Sequence, residues 1–182
     1  MNAVDEKIIE QSKRKLLLYL LGACIFMAVG VWMFSMDDAS IEAHRRFNNP
    51  LYVHGVGLAA IIMSAPVGAL VVRKLFDSKP GVVFNSAGVL DNSSGVSTGF
   101  IPWSDITGAE VLQIQRQRML IVRVVNPEKY LEAGNALKRA LNRQSYKSYG
   151  SPISITAGTL KISFEELQAT FNEYLSKYGK QV

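Results

Sequence analysis

The chain has a single cysteine, Cys24, so no intrachain disulfide can form and stability must come from packing. Histidine is almost as scarce. His44 and His54 are the two, neither stands at metal-ligand spacing, and no C-x-x-C, H-E-x-x-H or phosphate-binding loop occurs. A nucleophile paired with a base is missing, as are paired carboxylates, which leaves no catalytic residue, metal or cofactor to assign and points away from an enzyme. Asp105, beside Trp103, is the one acid whose setting suggests a raised pKa; a turn or cap role is the simpler expectation. No Lys or Arg occurs between Pro80 and Gln115. Charge is missing too from two long stretches, 16–34 and 53–72, where His54 is the one ionisable side chain of the second.

Those two stretches are what the sequence does have. A helix needs about 20 apolar residues to cross a bilayer, and LLLYLLGACIFMAVGVWMF and VHGVGLAAIIMSAPVGALVV both reach that length. Two crossings make a hairpin. Hydrophobic residues are 48% of the chain and mean hydropathy is +0.12, but the apolar part is gathered near the N-terminus. Residues 1–74 therefore read as a membrane anchor with spans at about 16–34 and 53–72, and 75–182 as one polar domain large enough for its own core.

Net charge is +5, which alone fits nucleic acid, anionic lipid or nothing specific. Position narrows it. Lys7, Lys13, Arg14 and Lys15 precede the first span and Arg73, Lys74 and Lys79 follow the second, whereas the connecting loop carries only Arg45 and Arg46. The positive-inside rule then puts both termini in the cytoplasm of a multi-pass inner-membrane protein. Leu21-Gly22-Ala23-Cys24 also resembles a bacterial lipobox, in which Cys24 would be acylated after signal cleavage. The apolar run continues ten residues beyond Cys24, where a lipoprotein would turn polar, so a small thiol inside a helix is the preferred reading.

Residues 3–15 place acids early and bases late, as a helix dipole prefers, and read as a short juxtamembrane helix resting on anionic headgroups. In the loop 36–50, Asp37 or Asp38 is a cap for one or two turns through Ile41 and Phe47, and Asn48-Asn49-Pro50 starts the second helix. His44, Arg45 and Arg46 sit where a periplasmic ligand would approach, though a connector is the plainer expectation. Gly57, Ala60, Ser64 and Gly68 make a small-residue stripe for close helix packing, against Gly22, Ala23 or Gly30 of the first span or in a homo-oligomer. Pro66 implies a mild kink. The G-x-G-x-x-A at 55–60 follows no strand and is not a dinucleotide site.

From Gly81 the texture is β. Short strands at 82–84 and 89–90 alternate with the turn chemistry of 85–88 and 91–95; strands at 100–106, 109–114 and 119–125 follow as an antiparallel meander. Asn126-Pro127 ends the last of these. Residues 128–143 read as an amphipathic helix with Tyr130, Gly134, Leu137 and Leu141 on one face and bases elsewhere. A linker at 145–152, strands at 153–156 and 160–162, and a capping box at Ser163-Phe164-Glu165-Glu166 lead into a last helix striped by Phe164, Leu167, Phe171, Leu175 and Tyr178.

About seven strands closed by one amphipathic helix resembles the pleckstrin-homology-like (PH-like) fold. Phe100-Ile101-Pro102-Trp103-Ser104-Asp105-Ile106 looks like the W-x-D-I strand of bacterial membrane-tethered PH-like domains. With Asn126-Pro127-Glu128-Lys129-Tyr130-Leu131 and Ser163-Phe164-Glu165-Glu166-Leu167, nearly the whole chain is similar to small bacterial inner-membrane proteins of unassigned function. The resemblance implies an α+β chain: a transmembrane helical hairpin, then a bent antiparallel barrel of about seven strands with an inserted helix and a C-terminal capping helix. Many PH domains hold phosphoinositides through bases in the first strand-loop-strand; the base-free segment 81–114 argues against a headgroup site there.

Arg116, Arg118, Arg123, Lys138, Arg139, Arg143 and Lys147 form the one basic cluster of the domain, a candidate contact for anionic membrane lipid or an acidic partner. Nucleic acid is a poorer match because aromatics do not interleave with the bases. The expected function is a non-catalytic scaffold presenting a PH-like interaction domain to a protein partner. The alternative is a lipid-facing envelope-homeostasis protein acting through its spans and basic face.

Overall fold

In the computed structural model, which describes residues 5–44, 47–94 and 97–179, the chain divides into two compact units. Lys13–Ser78 is one; the residues up to Ser12 join Lys79–Val182 in the other.

The first unit is helical. α1 (Lys13–Phe34), a short α2 (Asp38–Glu42) and α3 (Pro50–Leu75) follow in order. The Asp37 carboxylate accepts from the Ser40 N–H at 3.3 Å and caps α2, which ends at Glu42, short of Phe47. Asn49 caps α3 through the Tyr52 N–H, and Pro50 sits in the first turn, where its missing N–H costs nothing. Both long helices outrun the apolar stretches. The basic trio Lys13-Arg14-Lys15 is the first turn of α1, and Arg73 and Lys74 lie in the last turn of α3, where the helix dipole favours cations. α3 runs unbroken through Pro66. Both helices are long and apolar enough to cross a membrane, and only 11% and 17% of their apolar windows are buried.

The second unit is α+β, with two antiparallel sheets. β1 (Lys7–Ile9), β2 (Val82–Phe84), β3 (Gly88–Asp91) and β4 (Gly99–Pro102) pair in that order; β5 (Ile106–Ile114), β6 (Gln117–Val124) and β7 (Ile153–Thr156) form the second sheet. A single 3-10 turn at Trp103–Asp105 carries the chain from one sheet to the other. One core serves both: Phe84, Val89 and Ile101 from the first sheet meet Leu120, Val122, Ile153 and Ile155 from the second. α4 (Pro127–Leu131) and α5 (Ala136–Tyr149) lie between β6 and β7 in sequence, and α6 (Phe164–Tyr178) supplies Phe164, Leu167, Phe171 and Tyr174 to the core. The Ser163 hydroxyl accepts from the Glu166 N–H while the Glu166 carboxylate takes the Ser163 N–H, so the expected capping box starts α6.

Trp103 is the hub. It stacks on Phe84 at 6.4 Å between centroids, meets Phe171 edge-on at 5.7 Å, and donates its indole N–H to the Asn85 carbonyl at 2.7 Å. A neighbouring side chain and a neighbouring strand close in tightly where glycine permits. A Cβ on Gly81 would lie 2.2 Å from Leu160 Cδ2, and one on Gly88 only 2.3 Å from the Ile101 carbonyl.

Four expectations are corrected. Residues 5–12, within the stretch read as a juxtamembrane helix and assigned to the anchor, belong to the β unit, because Ile8 pairs with Val83 and extends the sheet. The segment 160–162 is no strand: Leu160 makes one isolated bridge to Gln11 and is otherwise a buried turn. The helix expected at 128–143 is broken at Gly134, whose φ of 90° suits a residue without a side chain, and the segment read as a linker from 145 continues α5 to Tyr149. The strands make two sheets rather than a closed barrel, since no ladder joins β4 to β5 or β1 to β7 among the described residues.

Candidate interaction surface

Two of the motifs meet in space. The Asp105 carboxylate accepts from Lys129 Nζ at 2.7 Å and from the Tyr130 hydroxyl at 2.6 Å, and the Val125 N–H donates to the Asp105 carbonyl at 2.9 Å. Lys129, and next Tyr130, hold the Asp105 carboxyl below its usual pKa, so the raised value considered for it is corrected. Burial, reinforced by that carboxylate, pushes the Tyr130 phenol up. Ionised Asp105 and neutral Tyr130 form a clamp that fixes α4 against the turn between the sheets, with no proton to exchange near neutral pH. The Tyr130 carbonyl in turn accepts from the buried Asn142 amide at 3.1 Å, which sets the rotation of α5.

That rotation decides which side of α5 faces out. Asn142 is the buried residue of the helix, while Leu137 and Leu141, expected to face a core with Tyr130, are 60% and 41% exposed. Lys138 is half-buried beside Gly134; Arg139, Arg143 and Lys147 are exposed. Asn135 caps the helix through the Lys138 N–H at 2.9 Å, and Gly150 ends it at φ 71°, a left-handed value that glycine adopts without strain.

The seven bases of the candidate cluster therefore fall into three sets. Arg118 bonds the Glu165 carboxylate and lies 5.0 Å from the Phe164 ring centroid; Arg123 makes a two-pronged contact to Glu110 at 2.8 and 2.9 Å. Both carboxyls are held below their usual range by these guanidiniums, so Arg118 and Arg123 are partnered within the protein. Arg116 stands in the β5–β6 turn. Lys138, Arg139, Arg143 and Lys147 all lie on α5, which carries no acid, and none is in an ion pair among the described residues.

A second exposed feature is the edge of the three-stranded sheet. β5 is nine residues long and, among the described residues, pairs with β6 on one side only, with Glu110, Val111, Gln113 and Ile114 exposed. The segment around β1 is tied to the C-terminal part of the unit: Asp5 accepts from Lys177 at 2.6 Å, Tyr178 at 2.9 Å and Tyr174 at 3.0 Å, and Lys161 bonds Glu10 at 2.5 Å. Lys177 leads these donors in lowering the Asp5 carboxyl; burial, then Asp5, pushes the Tyr174 phenol up to about 12.

Within the helical unit, the small-residue stripe is partly engaged. Gly30 and Gly57 face each other so closely that a Cβ on Gly57 would lie 2.7 Å from the Gly30 carbonyl and 2.8 Å from the Phe34 nitrogen. Ala60 and Ser64 are buried, whereas Gly68 has open space around it. Gly22 faces open space too, so Gly30 is the first-span glycine that does the packing. His54 Nε2 is 3.0 Å from the Met36 carbonyl, a tie to the loop. Arg45 and Arg46 lie outside the described residues, as does Gly95 of the expected turn at 91–95. Compared with known proteins, the chain matches no family model, no curated protein and no solved structure.

Proposed function

We propose that the protein is a non-catalytic scaffold of a bacterial inner membrane, held by the α1–α3 hairpin with both termini in the cytoplasm, that offers a PH-like domain to a protein partner. The observation that carries it is the nine-residue β5 edge, whose unpaired backbone groups can take a further strand from a partner chain by β-augmentation. The membrane part is supported by Leu18, Trp32, Ile62 and Met63, all exposed on helices whose apolar surface is too large to leave in water. Orientation is supported by the bases at the helix ends remote from the loop. The PH-like reading is supported by the two sheets sharing one core with a C-terminal helix, and by the contact between the Trp-Ser-Asp-Ile and Asn-Pro-Glu-Lys-Tyr segments. Non-catalysis is supported by Asp105, the most enzyme-like acid in the sequence, being spent on Lys129 and Tyr130.

The test combines topology and capture in intact cells. Reporter fusions at Asn48 and at the C-terminus should report opposite sides of the membrane. A photo-crosslinking residue at Gln113, also exposed on β5, should then trap a recurring protein that the same labelled chain with Val111→Pro, which blocks strand addition, no longer yields. Reporters on the same side, or a proline-insensitive adduct, would overturn the proposal.

A further inference from the structure

We propose that the outward face of α5 lies on an anionic lipid surface. The inference rests on the membrane reading above but not on the protein partner, and it uses a different surface from the β5 edge.

With Asn142 turned inward, the exposed side of α5 carries two parallel rows. Leu137 and Leu141 form one at i,i+4 spacing; Arg139, Arg143 and Lys147 form the other at i,i+4,i+8. Ala136, Ala140 and Gln144 run between them, so through the first two turns only alanine methyls separate leucine from base. Seated on a bilayer, such a helix sinks its leucines to the headgroup boundary while the long basic side chains reach sideways to lipid phosphates.

Charge decides the occupant. α5 has four bases and no acid. Arg118 and Arg123 are matched by Glu165 and Glu110, but the bases of α5 are matched by nothing in an ion pair among the described residues. Glu132 lines a shallow depression with Arg139 and Arg143 and makes no such pair among the described residues. A second copy would bring like charge to like charge, on a chain of net charge +5. It would also find too little apolar surface, because a stable protein interface buries about 800 Å² per partner and two leucines fall far short. A lipid surface needs no such area, since a domain tethered to a membrane sees that surface at high effective concentration.

The full chain with Cys24→Ser and Leu141→Cys, carrying an environment-sensitive fluorophore at 141, is reconstituted into nanodiscs of phosphatidylcholine alone or mixed equally with phosphatidylglycerol. A label at Glu173→Cys, exposed on α6, is the control. In the anionic discs the 141 label should be quenched by a lipid-borne quencher and shielded from iodide, while the 173 label stays aqueous. Each neutralised base should weaken docking about fivefold, so Arg139→Gln with Arg143→Gln should lower it roughly 25-fold. Wild-type docking should also be lost at about 1 M salt, where the screening length is about 3 Å. A 141 label equally aqueous in both discs would overturn the proposal, and so would equal shielding in phosphatidylcholine or at high salt, which would mean a protein cover. Co-flotation of the chain with the discs reads membrane anchoring separately, so failure of the membrane reading is distinguishable from failure of α5 to dock.

Discussion

Replacing Trp103 separates two roles that its position combines. The side chain is 2% exposed, touches Phe84, Phe171 and Tyr174, and gives its indole N–H to the Asn85 carbonyl. Trp103→Ala removes the ring and leaves a void between both sheets and α6, which costs about 3–5 kcal/mol. Trp103→Phe keeps an aromatic ring against Phe84 and Phe171 but leaves the Asn85 carbonyl without its donor. The Asn85 carbonyl is half-buried, so losing its donor costs about 1–2 kcal/mol, and the smaller ring adds roughly 1 kcal/mol. For a unit of about 100 residues, each kcal/mol moves the melting temperature by about 4 °C, so Trp103→Phe should melt about 8–12 °C lower and Trp103→Ala lower still. The assay is near-UV circular dichroism of the detergent-solubilised chain, where Tyr130, Tyr174 and Tyr178 report the β unit. Far-UV signal from α1 and α3 should persist through the transition. A Trp103→Phe melt within about 2 °C of wild type would refute the hub, because an 8 °C shift is the least that the lost N–H and the smaller ring together predict.

Acid should loosen the same unit. Asp5, Glu10, Asp105, Glu110 and Glu165 all have carboxyls held below their ordinary values by cationic or phenolic donors. A depressed folded-state pKa gives stability that is full above the unfolded value, near 3.8 for Asp and 4.5 for Glu, and lost as pH falls through the folded values. Denaturant midpoints should therefore be flat from pH 7 to about 5 and drop below about pH 4, and Asp5→Asn should blunt the drop. In the helical unit, Gly57→Leu should destabilise the hairpin by about 1–3 kcal/mol through overpacking, while Gly68→Leu should be silent in the same detergent melt. Cys24→Ala should leave the size and lipid labelling of the chain unchanged; loss of a lipid label would revive the lipobox reading.

Local signals reached the fold wherever one segment carried its own evidence. Residues 82–84 and 119–124 are rich in β-branched and apolar side chains, and Ser163-x-x-Glu166 specifies a helix start through two side chains, so both survive into the structure. Lys7-Ile8-Ile9 shows the limit. Three residues among charges have no detectable period, and their partner Val82–Phe84 lies beyond two long helices, so only the tertiary pairing makes them a strand. The acids-before-bases order that mimics a helix dipole has another cause: Asp5 and Glu10 answer Lys177 and Lys161, and Lys7 donates to Thr170.

The basic cluster was legible as composition but not as geometry. Seven of the eight bases within 116–147 invite a single face, yet which of them are spent depends on Glu110 and Glu165, one across a β ladder and one on a distant helix. The leucines of α5 mislead in the opposite sense, because apolar periodicity normally marks the inward side. Here one buried amide overrides it. Leaving Asn142 without the Tyr130 carbonyl costs about 1–3 kcal/mol, comparable to what burying one leucine would return, and the clamp through Tyr130 and Asp105 fixes α4 so that α5 cannot rotate to satisfy both. An exposed leucine row beside unmatched bases is thus a consequence of where a single polar side chain had to go, and Asn142→Leu separates the causes. If the amide sets the rotation, that variant should turn Leu137 and Leu141 toward the protein and shield a fluorophore at 141 even in detergent; if the label stays aqueous, some other contact holds the helix.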